Sequence, residues 1–422
     1  MEQPLRPAGQ GGDPGAGVSG DGAPPEASSE RTAAVMTRGE IAELKDAIKR
    51  AAPKLGIDEI GFASAEPFFA LKDILLRHRA LGRESGFEEP DLDKRVHPDR
   101  HLPGVRSIIA VAVAYPAKLK DPPKSAPGAY RGIIARSAWG EDYHKVVRER
   151  LERLAAFIRG RVPGARLEIM VDTGALCDRA VAERAGIGFV GKNCALITRH
   201  HGSWVHLGEM LTDIPFEPDV PVTEQCGDCT LCLDACPTGA LVGPGQIDAK
   251  RCISYLTQTK GFLDDEWKVK IGNRLYGCDT CQIVCPKNRG MNWTHHEELT
   301  PDPELVKPLL KPILTMSNRK FRDTFGKSAA AWRGKKPIQR NAIIALGHFR
   351  DESAVPDLGR LLLEDPRPEI RGTAAWALGR IGGEEARRLL EEAAGREPDE
   401  RAREEVLRAL EAIRGGGRLP AE

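Results

Sequence analysis

Apolar positions recur every three or four residues over 40–52 and again over 142–158, the spacing of helices that bury one face. Between them lies an unbroken apolar run, SIIAVAVAY at 107–115, whose length suits a strand and falls well short of the ~20 residues a membrane span needs. The pattern predicts buried strands over 108–114 and 167–171, a short helix over 175–185, and further strands over 195–198 and 204–211. Helical and strand periods therefore alternate from residue 36 to about residue 221, which predicts an α/β or α+β domain.

The last hundred residues follow another rule. Ala345-Leu346-Gly347, Ala377-Leu378-Gly379 and Ala409-Leu410-Glu411 recur with a period of 32 inside helical patterns. The first two are followed by partner helices, VPDLGRLLL and ARRLLEEAA. Such a period predicts stacked helical pairs of the HEAT type, here too few to stand alone and so expected to pack on the rest of the chain.

Composition changes this picture at the start of the chain. Residues 1–30 hold seven Gly and five Pro with almost no large apolar residues, so they bury too little to offset their ordering entropy. Residues 1–35 are expected to be a disordered tail, with the folded chain beginning at Met36. They lack the apolar core of a secretion signal. A cytoplasmic location is expected, where thiols stay reduced, so the ten cysteines point to metal rather than to disulfides.

Cys226, Cys229, Cys232 and Cys236 stand before Pro237 as C-x2-C-x2-C-x3-C-P, the run of bacterial two-cluster ferredoxins in which the fourth cysteine ligates the other cluster. Three thiolates at this spacing wrap three corners of one cubane, and the fourth begins a new turn and points away. Cys278, Cys281 and Cys285 repeat part of the pattern, and Cys252 completes the count of eight. The crossover rule assigns Cys226, Cys229, Cys232 and Cys285 to one 4Fe–4S cluster, and Cys236, Cys252, Cys278 and Cys281 to a second. Zinc sites favour separated C-x2-C knuckles instead. Cys177 and Cys194 fall outside the pattern and read as small buried hydrophobes.

Net charge over the chain is +1, which excludes a uniformly basic nucleic-acid binder. Residues 311–350, however, hold ten Lys or Arg against Asp323 alone, giving +9, whereas 351–422 come to −5. A local concentration of this kind suits a polyanion such as RNA or DNA.

Two segments invite a wrong assignment. Gly186-Ile187-Gly188-Phe189-Val190-Gly191 matches G-x-G-x-x-G, but it follows a helical pattern rather than a strand, and Lys192 is followed by Asn193 rather than Ser or Thr. A tight turn against a bound group fits better, with Lys192 and Asn193 as candidate contacts. Asp142-Tyr143-His144 begins like D-x-H-x-x-G but lacks the later Gly. Asp172 ends an apolar strand, where side chains commonly line a cleft; it suits equally the N-cap of a helix from Ala175.

The stretches KRVHPDRHLPGVRSIIAVAVAY, RGIIARSAWGEDYHKV, VDTGALCDRAVAERAGIGFVGKN, GSWVHLGEMLTD and CISYLTQTKGF leading to IGNRLYGCDTCQIVCPKNRG together resemble the epoxyqueuosine reductases. The resemblance runs from Met36 to about Leu410. It implies a multidomain α+β architecture: an α/β cobalamin-binding catalytic domain over 36–221, a ferredoxin-like module with two 4Fe–4S clusters over 222–290, a basic connecting segment over 291–336 and HEAT-like repeats over 337–422. It further implies base-off cobalamin, consistent with the missing D-x-H-x-x-G, and a reaction that converts epoxyqueuosine in tRNA to queuosine, the last step of queuosine biosynthesis. Electrons from an external flavodoxin- or ferredoxin-type donor would pass through the clusters to cobalt. Asp172 would be the proton donor, its pKa raised by burial. Arg95, Ala135, Asp172, Asn193, Leu196, Ser254, Asp279 and Thr280 would surround the corrin. The basic segment would grip the anticodon stem-loop of the tRNA, and the protein is expected to act as a monomer.

Two other classes compete. Reductive dehalogenases share the cofactor logic but are typically exported and need no basic repeat tail. A simple electron carrier would not need nearly two hundred residues before its clusters.

Overall fold

The computed structural model describes residues 36–415 and 419, so the expected tail over 1–35 lies outside the described residues. The folded chain opens with α1 (Arg38–Ala51), fixed at its start by a capping box: the Thr37 hydroxyl accepts from the Glu40 N–H while the Glu40 carboxylate accepts from the Thr37 N–H. Ile41, Leu44 and Ile48 form its buried stripe.

β1 (Glu59–Ser64), β2 (Ser107–Ala114), α2 (Tyr143–Arg159), β3 (Leu167–Met170), α3 (Asp178–Arg184), the hairpin of β4 (Gly188–Val190) and β5 (Leu196–Thr198), and β6 (Val205–Thr212) follow. The main sheet has the order β1–β2–β6–β3 and every pairing in it is antiparallel. The domain is thus α+β, and the α/β label expected for it is corrected: alternating periods reveal which segments are strands but not their relative direction. β2 is central and buried along its whole length. β3 lies at the sheet edge with Glu168 exposed, so the buried strand expected there is instead a half-open one. α1 and α2 cover one face, where Ile48, Val147 and Leu151 meet Ile109 and Val111. α3 covers the other, where Val181 and Ala182 meet Ile108 and Ala110.

The cysteine-rich module is assembled from single turns, Leu231–Asp234 and Thr280–Ile283, and a small hairpin. Its own apolar cluster has only Cys194, Cys232 and Leu241 fully buried. It is tied to the sheet domain by polar contacts. The Ser203 N–H donates to Asn288 Oδ1 (2.7 Å), and Asn288 Nδ2 donates to Ser203 Oγ (2.8 Å). Gly202 beside them has φ +59°, and any Cβ there would collide with Asn288. Just beyond the module, His295 and His296 bond the two carboxylate oxygens of Asp58 at 2.6 and 2.7 Å.

The repeat pattern becomes α4 (Lys335–Phe349), α5 (Val355–Glu364), α6 (Pro368–Ile381), α7 (Glu384–Ala394) and α8 (Glu400–Arg414). The recurrent small residues have a packing cause. A Cβ on Gly347 would press on Ala377, and one on Gly379 on Ala409, so these glycines let α4, α6 and α8 approach closely. The repeats dock on the preceding chain through buried charge: Lys268 is 1% exposed and pairs with Glu405 at 2.5 Å. Among the described residues, no helix is long and apolar enough to cross a membrane.

Candidate active site and cluster ligands

Asp172 follows the edge strand β3 in a left-handed conformation, φ +52°. It does not cap α3, whose N-cap is Cys177; instead its own N–H donates to the Asp178 carboxylate at 3.0 Å. Its side chain is 58% exposed and accepts from the Tyr143 hydroxyl (2.8 Å) and His144 Nε2 (3.1 Å) on a single oxygen, Oδ2. Both donors come from the first turn of α2, capped by Asp142, which also bonds His144 Nδ1 at 2.7 Å. The motif set aside for lacking a glycine therefore supplies both partners of the candidate acid.

The electrostatics overturn one expectation. The His144 hydrogen bond holds the Asp172 carboxyl below the usual carboxylate range, against the burial that was expected to raise it. His144 is pushed up to about 9 by Asp142 first and Asp172 second. In this arrangement the proton rests on the imidazole and Asp172 is a carboxylate.

Behind this pair lies a series of buried titratable groups that sequence reasoning missed. The Tyr143 ring stacks on His206 at 4.4 Å, and His206 in turn meets Tyr115 at 4.4 Å. Burial lowers His206 to about 3, keeping it neutral, and its Nε2 has no partner among the described residues. Burial and the Asp172 charge raise Asp178 to about 6, and burial raises the Glu209 carboxyl, whose Oε1 is also unpartnered among the described residues. His206 and Glu209 stand on opposite faces of β6, polar residues inside an otherwise apolar central strand. That interruption is the feature in the sequence by which they were legible.

The eight cysteines fall into two neighbourhoods. Cys226 and Cys285 both lie close enough to Cys232 to add to the burial that raises its thiol, and Cys226 and Cys229 do the same for Cys285. Burial, then Cys278 and Cys236, push Cys252 up to about 11. Cys281 is raised by burial and by Cys278, Cys252 and Cys236, with Cys232 of the other group also in range. Proximate thiols that suppress one another's ionisation are what a cationic cluster relieves, so the donor set fits iron–sulfur ligation. Lys192 belongs to this region: its N–H points at Cys226 Sγ (3.4 Å) and its ammonium at the Gly227 carbonyl (2.7 Å). Cys194 is buried as expected, but Cys177 is only half-buried, at the start of α3 beside Arg179.

The residues expected around a corrin come from several separate elements. Ala135, Asp279 and Thr280 line a cavity of about 530 Å³ together with the cysteine Cys278; Arg95, Asp172, Asn193, Leu196 and Ser254 do not line it. Asp279 is tied to Arg136 at 2.8 Å. Leu196 is 3% exposed and packs in the core behind α3. Asn193 is buried and its amide nitrogen has no partner among the described residues, an orphaned donor that fits a polar group of a docked cofactor. Ser254 accepts from Gln258 Nε2 through its carbonyl at 2.8 Å.

The +9 stretch is only partly surface. Arg319, Lys320, Arg322, Lys327, Lys336 and Arg350 are exposed. Arg340 is buried and donates to the Leu256 and Gly261 carbonyls at 2.8 and 3.0 Å, where it fastens the repeats rather than facing a partner. Local charge counts cannot distinguish these two uses.

Comparison with known proteins identifies the family. Residues 95–173, which end just past Asp172, match the family model described as "Epoxyqueuosine reductase QueG, DUF1730"; residues 225–288 match a 4Fe-4S double cluster binding domain, and 329–411 match HEAT repeats. The epoxyqueuosine reductase of Bacillus subtilis is 56% identical over 377 residues, covering 89% of this chain and 98% of the relative. A crystal structure of an epoxyqueuosine reductase with a tRNA-Tyr epoxyqueuosine-modified stem loop superposes with a TM-score of 0.87 at 56% identity, covering 89% of this chain and all of the other. A Bacillus subtilis structure with its catalytic aspartate loop swung out of the active site matches with a TM-score of 0.86 at 56% identity, over 88% of this chain and 99% of that one. The chain belongs to the epoxyqueuosine reductase family.

Proposed function

We propose that this protein removes the epoxide oxygen of epoxyqueuosine at the wobble position of tRNA, with Asp172 as proton donor. The observation that carries this reading is the Asp172 corner: an exposed carboxylate on a loop, held by Tyr143 and His144, in a chain whose relative binds an epoxyqueuosine-modified stem loop.

A pair of electrons and a pair of protons turn the epoxide into an alkene and water. The oxygen leaves badly as an alkoxide, so a proton delivered to it lowers the barrier. Asp172 carries no proton while His144 and Tyr143 both donate to it. As its loop moves toward substrate, the carboxyl would take up the proton stored on His144 through their hydrogen bond before that bond breaks; in a Bacillus subtilis relative the catalytic loop is found swung out of the active site. His144 would then be the reservoir and Asp172 the carrier. Tyr143, whose phenol burial and the Asp172 charge keep protonated, orients the carboxylate.

Ala135, Asp279, Thr280 and Asn193, with Arg95, Leu196 and Ser254, would hold cobalamin, which would supply reduced cobalt fed through the two clusters from an external low-potential donor. Exposed cations of the basic stretch, Arg319, Lys320 and Arg322 among them, suit the phosphates of the stem-loop. The protein would work as a cytoplasmic monomer.

The test is anaerobic. Clusters are reconstituted, cobalamin and a strong reductant are added, and epoxyqueuosine-containing tRNA is assayed for queuosine by mass spectrometry. Cobalamin-dependent conversion is expected; no conversion with clusters and corrin bound would overturn the substrate assignment.

A further inference from the structure

At the border of the Asp172 corner stands an exposed aromatic group that the packing of the fold does not account for. Trp332 is 51% exposed and Phe87 42%. Phe87 comes from the long connection between β1 and β2, and Trp332 from the basic stretch, so only the tertiary fold brings them together. Their rings meet edge to face at 5.3 Å and 90°, and Phe87 also meets Tyr255 at 5.3 Å. The Arg333 guanidinium lies 5.0 Å from both ring centroids and is held there by its Nε donating to the Gln258 carbonyl (3.1 Å).

The indole is oriented at its edge and open elsewhere. Trp332 Nε1 donates to Gln258 Oε1 at 2.6 Å, and Gln258 is anchored on Ser254. Tyr276, whose phenol feels both the Asp172 charge and Trp332, links this platform to the candidate acid. A large apolar surface left half in water, fixed in orientation and crossed by a guanidinium, is the combination on which nucleobases stack. The Arg333 guanidinium across both rings puts a positive charge where the phosphates of a polyanion would lie.

We propose that Trp332 and Phe87, with Arg333 across them, stack an unpaired nucleobase of the RNA loop adjacent to the reacting nucleoside. The proposal rests on the tRNA reading above and adds to it the residues that position the loop. Stacking differs from phosphate contact in a measurable way: it adds affinity without releasing counterions, so it leaves the salt dependence of binding alone.

The experiment uses the holoenzyme with both clusters and a fluorescent anticodon stem-loop bearing epoxyqueuosine. Base–aromatic stacking of about 1–3 kcal/mol corresponds to a loss of roughly 5- to 150-fold in affinity for Trp332→Ala. The slope against log salt should stay unchanged, whereas Arg333→Gln lowers it by about 1. Trp332→Phe, which keeps a ring but loses the bond to Gln258, should stay within about threefold of the parent protein. Stem-loops made abasic one loop position at a time should include one that the parent and Trp332→Ala bind equally. Unchanged iron content and absorption in each variant verify the fold. Undiminished binding by Trp332→Ala, an equal loss in Trp332→Phe, or a loss that persists on every abasic loop would each overturn the platform while leaving the substrate assignment standing. Failure of the parent protein to bind the stem-loop would sink both.

Discussion

In the cysteine module seven of the eight reactive groups stand three or four positions apart in two short runs, on or beside single helical turns, whereas Tyr143, Asp172, Asp178 and His206 reach one corner from four separate elements. The module's separate apolar cluster is small, Cys232 and Leu241 with Cys194 of the sheet domain, and its other buried residues, Ile253, Leu256 and Leu275 among them, pack into the core of the repeats. The corner sits on an antiparallel sheet buried on both faces. The difference teaches where each site gets its precision. Thiolate–iron bonds can hold a weakly packed loop, so spacing suffices; a proton donor tuned by neighbours needs a rigid scaffold that places those neighbours from afar.

That contrast predicts the largest effect at the ligands. Cys285→Ala should abolish turnover and remove the first cluster although Cys285 follows the second group in sequence; iron analysis should show about half the metal, and electron paramagnetic resonance a single remaining cluster. Loss of the second cluster instead would break the crossover. At the corner, Asp172→Asn should keep both clusters and the folded sheet but slow turnover by roughly 10²–10⁴, as for a lost general acid. Near-normal conversion in single-turnover assays would remove Asp172 from the mechanism.

A smaller effect is expected for His144→Gln, which should slow proton delivery less than Asp172→Asn while abolishing one pH response. His144 has its pKa raised to about 9, so the stabilisation from its pairing is complete below its ordinary value of 6.5 and is lost as pH rises through 9. Asp172 and Asp142 are lowered, so their contributions hold above the ordinary value of 3.8 and fade as pH falls below it. The pair should therefore be intact between these limits, and thermal unfolding of the parent should show a decline toward pH 9 that His144→Gln lacks. A decline of equal size in the variant would assign it elsewhere. The smallest change is expected from Arg319→Glu with Lys320→Glu: stem-loop binding should weaken and its salt slope flatten, with the clusters and the corner untouched. An unchanged slope would move the phosphate contacts off this stretch.

Much of this was legible in the chain itself. Thr37 and Glu40 announce the first helix, the buried run at 107–115 the central strand, and the 32-residue period the stacked helices. The eight cysteines carry their chemistry in their spacing. What stayed hidden depended on direction and distance. The edge position of β3, the antiparallel pairing, the inward turn of Arg340 and the meeting of Phe87 with Trp332 involve contacts between residues far apart in sequence.

The sequence by itself determined the central strand, the repeat helices and the presence of a double iron–sulfur module, because these follow from local periods and short spacings. Only the tertiary structure decided the charge state of Asp172. A carboxyl's pKa is set by the donors and the burial around it, and its donors, Tyr143 and His144, lie nearly thirty residues away and reach it only once the sheet and α2 have formed.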